Sequence, residues 1–154
     1  MAIRPIVLVE KDSEFLHKKS RPVQEFNDRL FSLLDDMQET LKVAEGLGLA
    51  APQVGILKRA VLCRIGNEVL EMINPEIIAK SGEEIDKEGC LSVTDKWANV
   101  LRPEKVTVTY YDRKNNLHKL TLKGYEARVV CHEVDHLDGV LITDIKIGEF
   151  LKKN

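Results

Sequence analysis

Apolar residues recur every three or four positions after Pro22, at Val23, Phe26, Leu30, Leu33, Leu34, Met37 and Leu41. That spacing predicts an amphipathic helix over 24–44, with Gly46 as its stop and Leu30, Leu33, Leu34 and Met37 facing the core. Core packing accounts for the stripe without invoking a cofactor. The segment ILKRAVLCRIGNEVLEMINPEI reads as two strands joined by Gly66-Asn67, with Asn74-Pro75 marking a turn and AKSGEEIDKEG a polar loop. Strict alternation over 105–111 puts Val106, Val108 and Tyr110 on one face of a strand. Asn115-Asn116 then turns the chain into LHKLTL, a hairpin partner whose register the pattern leaves open. Apolar positions 125, 129, 130, 134 and 137 predict a second helix, ended by Gly139, and Asp144 is expected to cap a short final helix running into Lys152-Lys153. The fold class expected is α+β, with mostly antiparallel sheets packed around a central helix carrying HExxH.

With 154 residues, the chain is expected to form a single domain over 1–154. Its 44% hydrophobic and 31% charged residues are those of a globular protein, not a disordered one. A net charge of −2 leaves no basic surplus for a phosphate backbone, and no nucleic-acid motif is present. No run approaches the roughly 18 apolar residues of a membrane span, and the opening MAIRPIVLVEKD lacks a signal-peptide core, so no membrane attachment is expected. Three sparse cysteines, Cys63, Cys90 and Cys131, make a disulfide framework a poor reading and point to a reducing, cytoplasmic compartment.

The strongest chemical signal is His132-Glu133-Val134-Asp135-His136. Four helical residues advance about 400°, so both imidazoles leave one face a turn apart and can meet one ion. Glu133 stands beside them as the carboxylate that such a site needs to take a proton from water. Accidental spacing on a charged helix is the bland alternative, and it needs a coincidence. A third ligand is required. Cys90 follows Gly89 in EGCLSV and is the best placed, whereas Cys63 reads as strand core, Cys131 as packing, and His17 and His118 have no motif around them. A further block, GLGLAAPQ at 46–53, packs small residues densely enough for close backbone approach, and Gln53 is its one polar side chain. On its own it reads equally well as a tight helix-to-strand crossing.

Together GLGLAAPQ (46–53), EGCLS (88–92) and HEVDH (132–136) resemble, in order and spacing, the three blocks of the peptide deformylase family. The similarity extends through DDM-ET at 35–40, VLRPEKV at 100–106 and HLDGVL at 136–141. The resemblance implies a metal-dependent hydrolase that removes the N-terminal formyl group from nascent polypeptides and releases formate. It implies Cys90, His132 and His136 as metal ligands, Glu133 as general base, and Gln53 with the Leu91 backbone N–H as oxyanion donors. Leu47 and Gly48 would contact substrate, as would Arg102 near the EGCLS loop. The implied cofactor is one divalent ion, Fe²⁺ first, with Ni²⁺, Co²⁺ or Zn²⁺ as substitutes. The implied partners are formylated nascent peptides near the ribosome, met by a monomer. The sequence departs from the commoner family pattern at Cys131, where Gln is usual, at Thr94-Asp95 in place of Pro-Gly, and at Asp86, where an apolar residue often lines the methionine pocket. It stops at Asn154, short of the extensions some members carry. Three other readings stay open: a zinc endopeptidase sharing HExxH, a related metallo-amidase with a shifted N-acyl substrate, and a catalytically quiet binding member of the family.

Overall fold

The computed structural model describes residues 2–153. Two helices lead, α1 (Val9–Leu16) and α2 (Asp28–Ala44). A short strand β1 (Gly48–Ala50) and a 3₁₀ turn (Ala51–Val54) follow, then β2 (Ala60–Ile65), β3 (Glu68–Ser81), β4 (Glu84–Cys90), β5 (Val93–Arg102), β6 (Lys105–Tyr111) and β7 (Leu117–Lys123). Helix α3 (Gly124–Leu137), a single turn α4 (Ile142–Ile145) and β8 (Ile147–Lys152) complete the described chain. Every pairing between these strands is antiparallel, in a five-stranded sheet ordered β1-β2-β3-β6-β7 and a three-stranded sheet ordered β4-β5-β8. No described helix is long and apolar enough to cross a membrane.

Helix α3 is buried along most of its length and lies between the sheets. Val130, Cys131, Val134 and Leu137 pack with Val61, Met72, Val106 and Val108 of the large sheet. Its other side reaches the small sheet through polar contacts, Arg128 donating to the carbonyl of Val100 and His132 to Glu88. Helix α2 fills the far side of the large sheet with Leu30, Leu34, Met37 and Leu41 against Leu49, Leu62 and Ile73. The expected fold class is therefore the one observed, as are the hairpin at Gly66-Asn67 and the alternation of β6. The open register resolves with Leu117 opposite Tyr111 and Leu122 opposite Val106, which buries Leu122 and leaves Leu117 exposed.

Five local expectations are corrected. Helix α2 starts at Asp28, capped by the Asn27 side chain accepting from the Leu30 N–H at 3.1 Å, and not near 24. The cause lies in Asn74. Its side chain accepts from the Val23 N–H at 2.8 Å and donates to the Val23 carbonyl at 3.0 Å, which occupies the backbone that a longer helix would need. Asn74, at φ 50°, is accordingly a bulge inside β3, not a turn. The left-handed residue closing α2 is Glu45, not Gly46. The supposed loop 79–89 is the end of β3, a turn at Gly82 and most of β4, and the supposed final helix is β8, with Asp144 accepting the Leu141 N–H of the preceding turn.

Candidate metal centre

The bend between β4 and β5 and the buried face of α3 bring three ligand-bearing side chains together. One donor atom each from Cys90, His132 and His136 lies within 4.8 Å of the others, and all three residues are buried. Cys90 Sγ is 3.4 Å from His136 Nε2, and the two imidazoles stand one helical turn apart at 5.1 Å between centroids. The donor set itself is diagnostic, since a thiolate with two imidazoles suits a divalent transition metal. Two details fit such an ion. His132 Nδ1 is taken by Glu88 Oε1 at 2.8 Å, which turns Nε2 toward the triad. Burial, followed by His132, holds the His136 imidazole well below its ordinary range, so it meets a metal as a neutral ligand.

Glu88 is the structural hub behind this triad. It is 2% exposed and accepts from Arg102 Nε and Nη2 at 2.8 and 2.9 Å, from Arg128 Nη1 at 2.8 Å and from His132. Burial alone would raise its carboxyl, but Arg102 and His132 together outweigh it and hold the group well below the usual carboxylate range. Arg102 extends the network to Asp135 on α3. Sequence reasoning expected Arg102 at the substrate. Strand alternation instead places it on the face of β5 shared by Ala98 and Val100, where it is 6% exposed and turned toward α3, and it does not line the cleft.

Glu133 is 4% exposed, and burial, partly opposed by His132, lifts its carboxyl to about 7. Its Oε1 is buried without a hydrogen-bond partner among the described residues. Strand β1 crosses directly over it. A Cβ built on Gly48 would lie 2.8 Å from Glu133 Cγ, so only glycine admits this approach. Gln53 is held by two contacts, Oε1 accepting from the Ala50 N–H at 3.0 Å and Nε2 donating to Ser92 Oγ at 3.1 Å, with Cys90 Sγ at 3.7 Å from the same nitrogen. An amide nitrogen carries two protons, so one points to Ser92 and the other to the Cys90 sulfur.

These groups open into a cleft of about 240 Å³. Leu47, Gly48 and Gln53 line it from the β1 side, Gly89, Cys90 and Leu91 from the β4 side, and Val129, His132 and Glu133 from α3. Arg128, Trp97, Tyr125 and Lys153 also line it, as do Glu45 and Glu88. Asp86 does not; it is exposed and accepts from its neighbour's N–H at Lys87. Cys63 and Cys131 are buried, and Cys131 opens onto a separate groove beside Val134 and Asp135. His17 and His118 pair with Asp144 and Asp112. Sequence reasoning missed Glu88 as a hub, and also Arg128, Ser92, Trp97 and Lys153. Glu88 and Ser92 stand at the two ends of EGCLS, and Arg128 stands four residues before His132 on the same helix face, whereas Trp97 and Lys153 left no trace in the pattern.

A buried triad of one cysteine and two histidines with a carboxylate beside it, at the head of a cleft, defines a metal-dependent hydrolase. Residues 3–148 match the family model described as polypeptide deformylase. The chain is 52% identical over 153 residues to a peptide deformylase of Caldicellulosiruptor bescii, covering 99% of this chain and 90% of that one. Among solved structures, peptide deformylase from Thermotoga maritima superposes with a TM-score of 0.91 at 36% identity, covering 96% of this chain and 100% of that one. An actinonin-bound class I type b peptide deformylase from Acinetobacter baumannii gives 0.88 at 33%, covering 96% and 100%. The chain belongs to the polypeptide deformylase family, and its activity is that of a metal-dependent deformylase-type hydrolase.

Proposed function

We propose that Cys90, His132 and His136 hold one divalent ion, Fe²⁺ before Ni²⁺, Co²⁺ or Zn²⁺, and that the chain hydrolyses the formyl amide of N-formyl-methionyl peptides. The observation that carries this reading is the 4.8 Å grouping of the three donor atoms, with Cys90 and His132 lining the cleft that also holds Glu133 and Gln53 and His136 buried behind them. A bound divalent ion supplies a Lewis acid that polarises the formyl oxygen and acidifies water. Glu133 accepts a proton from the attacking water at its carboxylate. The Gln53 N–H that faces the Cys90 sulfur and the backbone N–H of Leu91 donate to the carbonyl oxygen as it gains charge. Glu133 then returns the proton to the amide nitrogen, the C–N bond breaks, and formate and a free amine leave. A carboxyl lifted to about 7 is suited to both halves of that exchange near neutral pH.

Gly48 pairs with substrate backbone, as the free edge of β1 allows, and Leu47 borders the methionine side chain. We take residues 1–154 as one catalytic unit, a cytoplasmic monomer meeting its substrates close to the ribosome. The test is formate release from a formyl-Met peptide amide, using protein purified without oxygen and with its metal content counted. Turnover by loaded protein, with Glu133→Ala retaining metal and losing most of the rate, supports these roles. No formate from fully iron- or nickel-loaded protein overturns them.

A further inference from the structure

The cleft has a wall that the deformylase reading does not use. Lys153, just beyond β8, lines the same cavity as Cys90, His132 and Glu133, although it lies far from them in sequence. It is placed there by three features. Strand β8 pairs with β5 so that Leu151 lies opposite Trp97 and Lys152 opposite Lys96. The Lys153 N–H then donates to the Asp95 carbonyl at 3.2 Å. Finally its ammonium sits 4.2 Å from the centroid of the Trp97 ring, a cation–π contact. Gly89 makes room for the pair. A Cβ there would stand 2.8 Å from Lys153 Nζ and 3.0 Å from Trp97 Cζ3. The cation therefore rests over the residue directly before the metal-ligating cysteine.

This ammonium makes no ion pair with any described residue, whereas Arg128 on that wall is paired with the buried Glu88. Across the cleft, on the α2–β1 side, the exposed charge is Glu45. Both β1 and β4 are edge strands, so an extended peptide enters between two unpaired edges with a fixed positive charge over one of them. An extended chain advances about 3.3 Å per residue, so an ammonium held over Gly89, next to Cys90, faces the first positions after the residue held at the metal.

We propose that Lys153, steadied by Trp97, is a specificity-determining residue that favours peptides carrying an acidic side chain at the second or third position. The inference rests on the deformylase reading of the same cleft. The contact is made at a solvent-exposed rim, so its effect is modest and screened by salt. The test compares kcat/KM for formyl-Met peptide amides that differ only in Ala, Asp, Glu or Lys at positions two and three, in low and high salt. Amide ends keep the terminal carboxylate out of the comparison.

Wild type should favour the acidic peptides about two- to five-fold over the alanine peptide at one of these positions, mainly through KM, with the preference shrinking in high salt. Lys153→Met keeps the stem over Trp97 and should abolish the preference, Lys153→Arg should retain it, and Lys153→Glu should transfer it to the lysine peptides. Each protein is compared through its own ratio of acidic to alanine peptide, so a general change in turnover cancels. Equal acid-to-alanine ratios in wild type, Lys153→Met and Lys153→Glu overturn the proposal. Loss of turnover on the alanine peptide by wild type itself instead overturns the deformylase reading beneath it.

Discussion

Glu88 accepts from two arginines and a histidine, and its charge is what orients His132 for a metal. Replacing Glu88 by Gln keeps the shape but removes the charge, and leaves Arg102 and Arg128 facing a neutral amide in a buried place. The expected outcome is metal affinity weakened by about ten- to a hundred-fold, measured by competition with a chelator, together with a clear loss of stability. Gln53 acts on the rate instead. Gln53→Ala should lower kcat by about a hundred- to a thousand-fold while the metal content stays at the wild-type level, because the amide touches the triad only through one long N–H contact to Cys90 Sγ at 3.7 Å, its other partners being Ala50 and Ser92. A kcat within three-fold of wild type would refute the oxyanion role. The sequence exposes this chemistry unevenly. HEVDH is legible because helical geometry alone unites its imidazoles. Cys90 and Gln53 were legible from residue type and neighbours. Glu88 and Arg102 were not, since a buried charge is defined by partners that lie 14, 40 and 44 residues apart in the chain.

Elements were legible where one face is apolar and the other polar. Helices α2 and α3 and strands β2, β3 and β6 declare their buried faces at helical or alternating spacing. Strand β4 does not. As an edge strand it exposes Asp86 and Lys87 and buries a glutamate, so its composition imitates a loop. Strand β8 is exposed at nearly every position, and only its pairing with β5 makes it a strand. Helix α1 was unread for a similar reason: among its residues only Leu16 is buried. What anchors it is His17, whose Nε2 meets Asp144 of α4 at 2.9 Å while Nδ1 is 2.7 Å from the Ser13 carbonyl. The Asp144 hydrogen bond, then the Ser13 one, raises the His17 pKa above 6.5. A raised folded-state pKa means the stabilisation is complete below the unfolded value of 6.5 and is lost as pH rises through the higher folded value. His17→Asn should therefore be less stable than wild type at mildly acid pH. The gap should close in alkaline buffer, as read from urea midpoints. A gap that widens with rising pH would contradict the pairing.

The two sheets do not share a strand, and the polar contacts of α3 and the metal ligands span the space between them. Cys90 arrives from the small sheet, while His132 and His136 belong to the helix seated on the large one. The hydrophobic core beneath the small sheet is the lesser one, built on Cys90, Val93, Ala98, Val100 and Ile142. A bound ion thus joins the weaker half of the fold to the stronger. Removing it with a chelator should lower the melting temperature. Amide exchange should accelerate first in β4, β5 and β8, and the β2–β3–β6 ladder should keep its protection. Uniform acceleration across both sheets would mean that the metal acts on the fold as a whole.

On the proposed reading Cys90 is a metal ligand and a structural tie in one sulfur atom. Oxidation of that thiol to a sulfenic or sulfinic acid would weaken its hold on the metal and release the small sheet in the same event. A damaged molecule would not persist as an inert but folded decoy that still occupies substrate. Its loosened β4 edge would offer proteases an unfolded segment, so chemical injury at the active site would also mark the molecule for clearance.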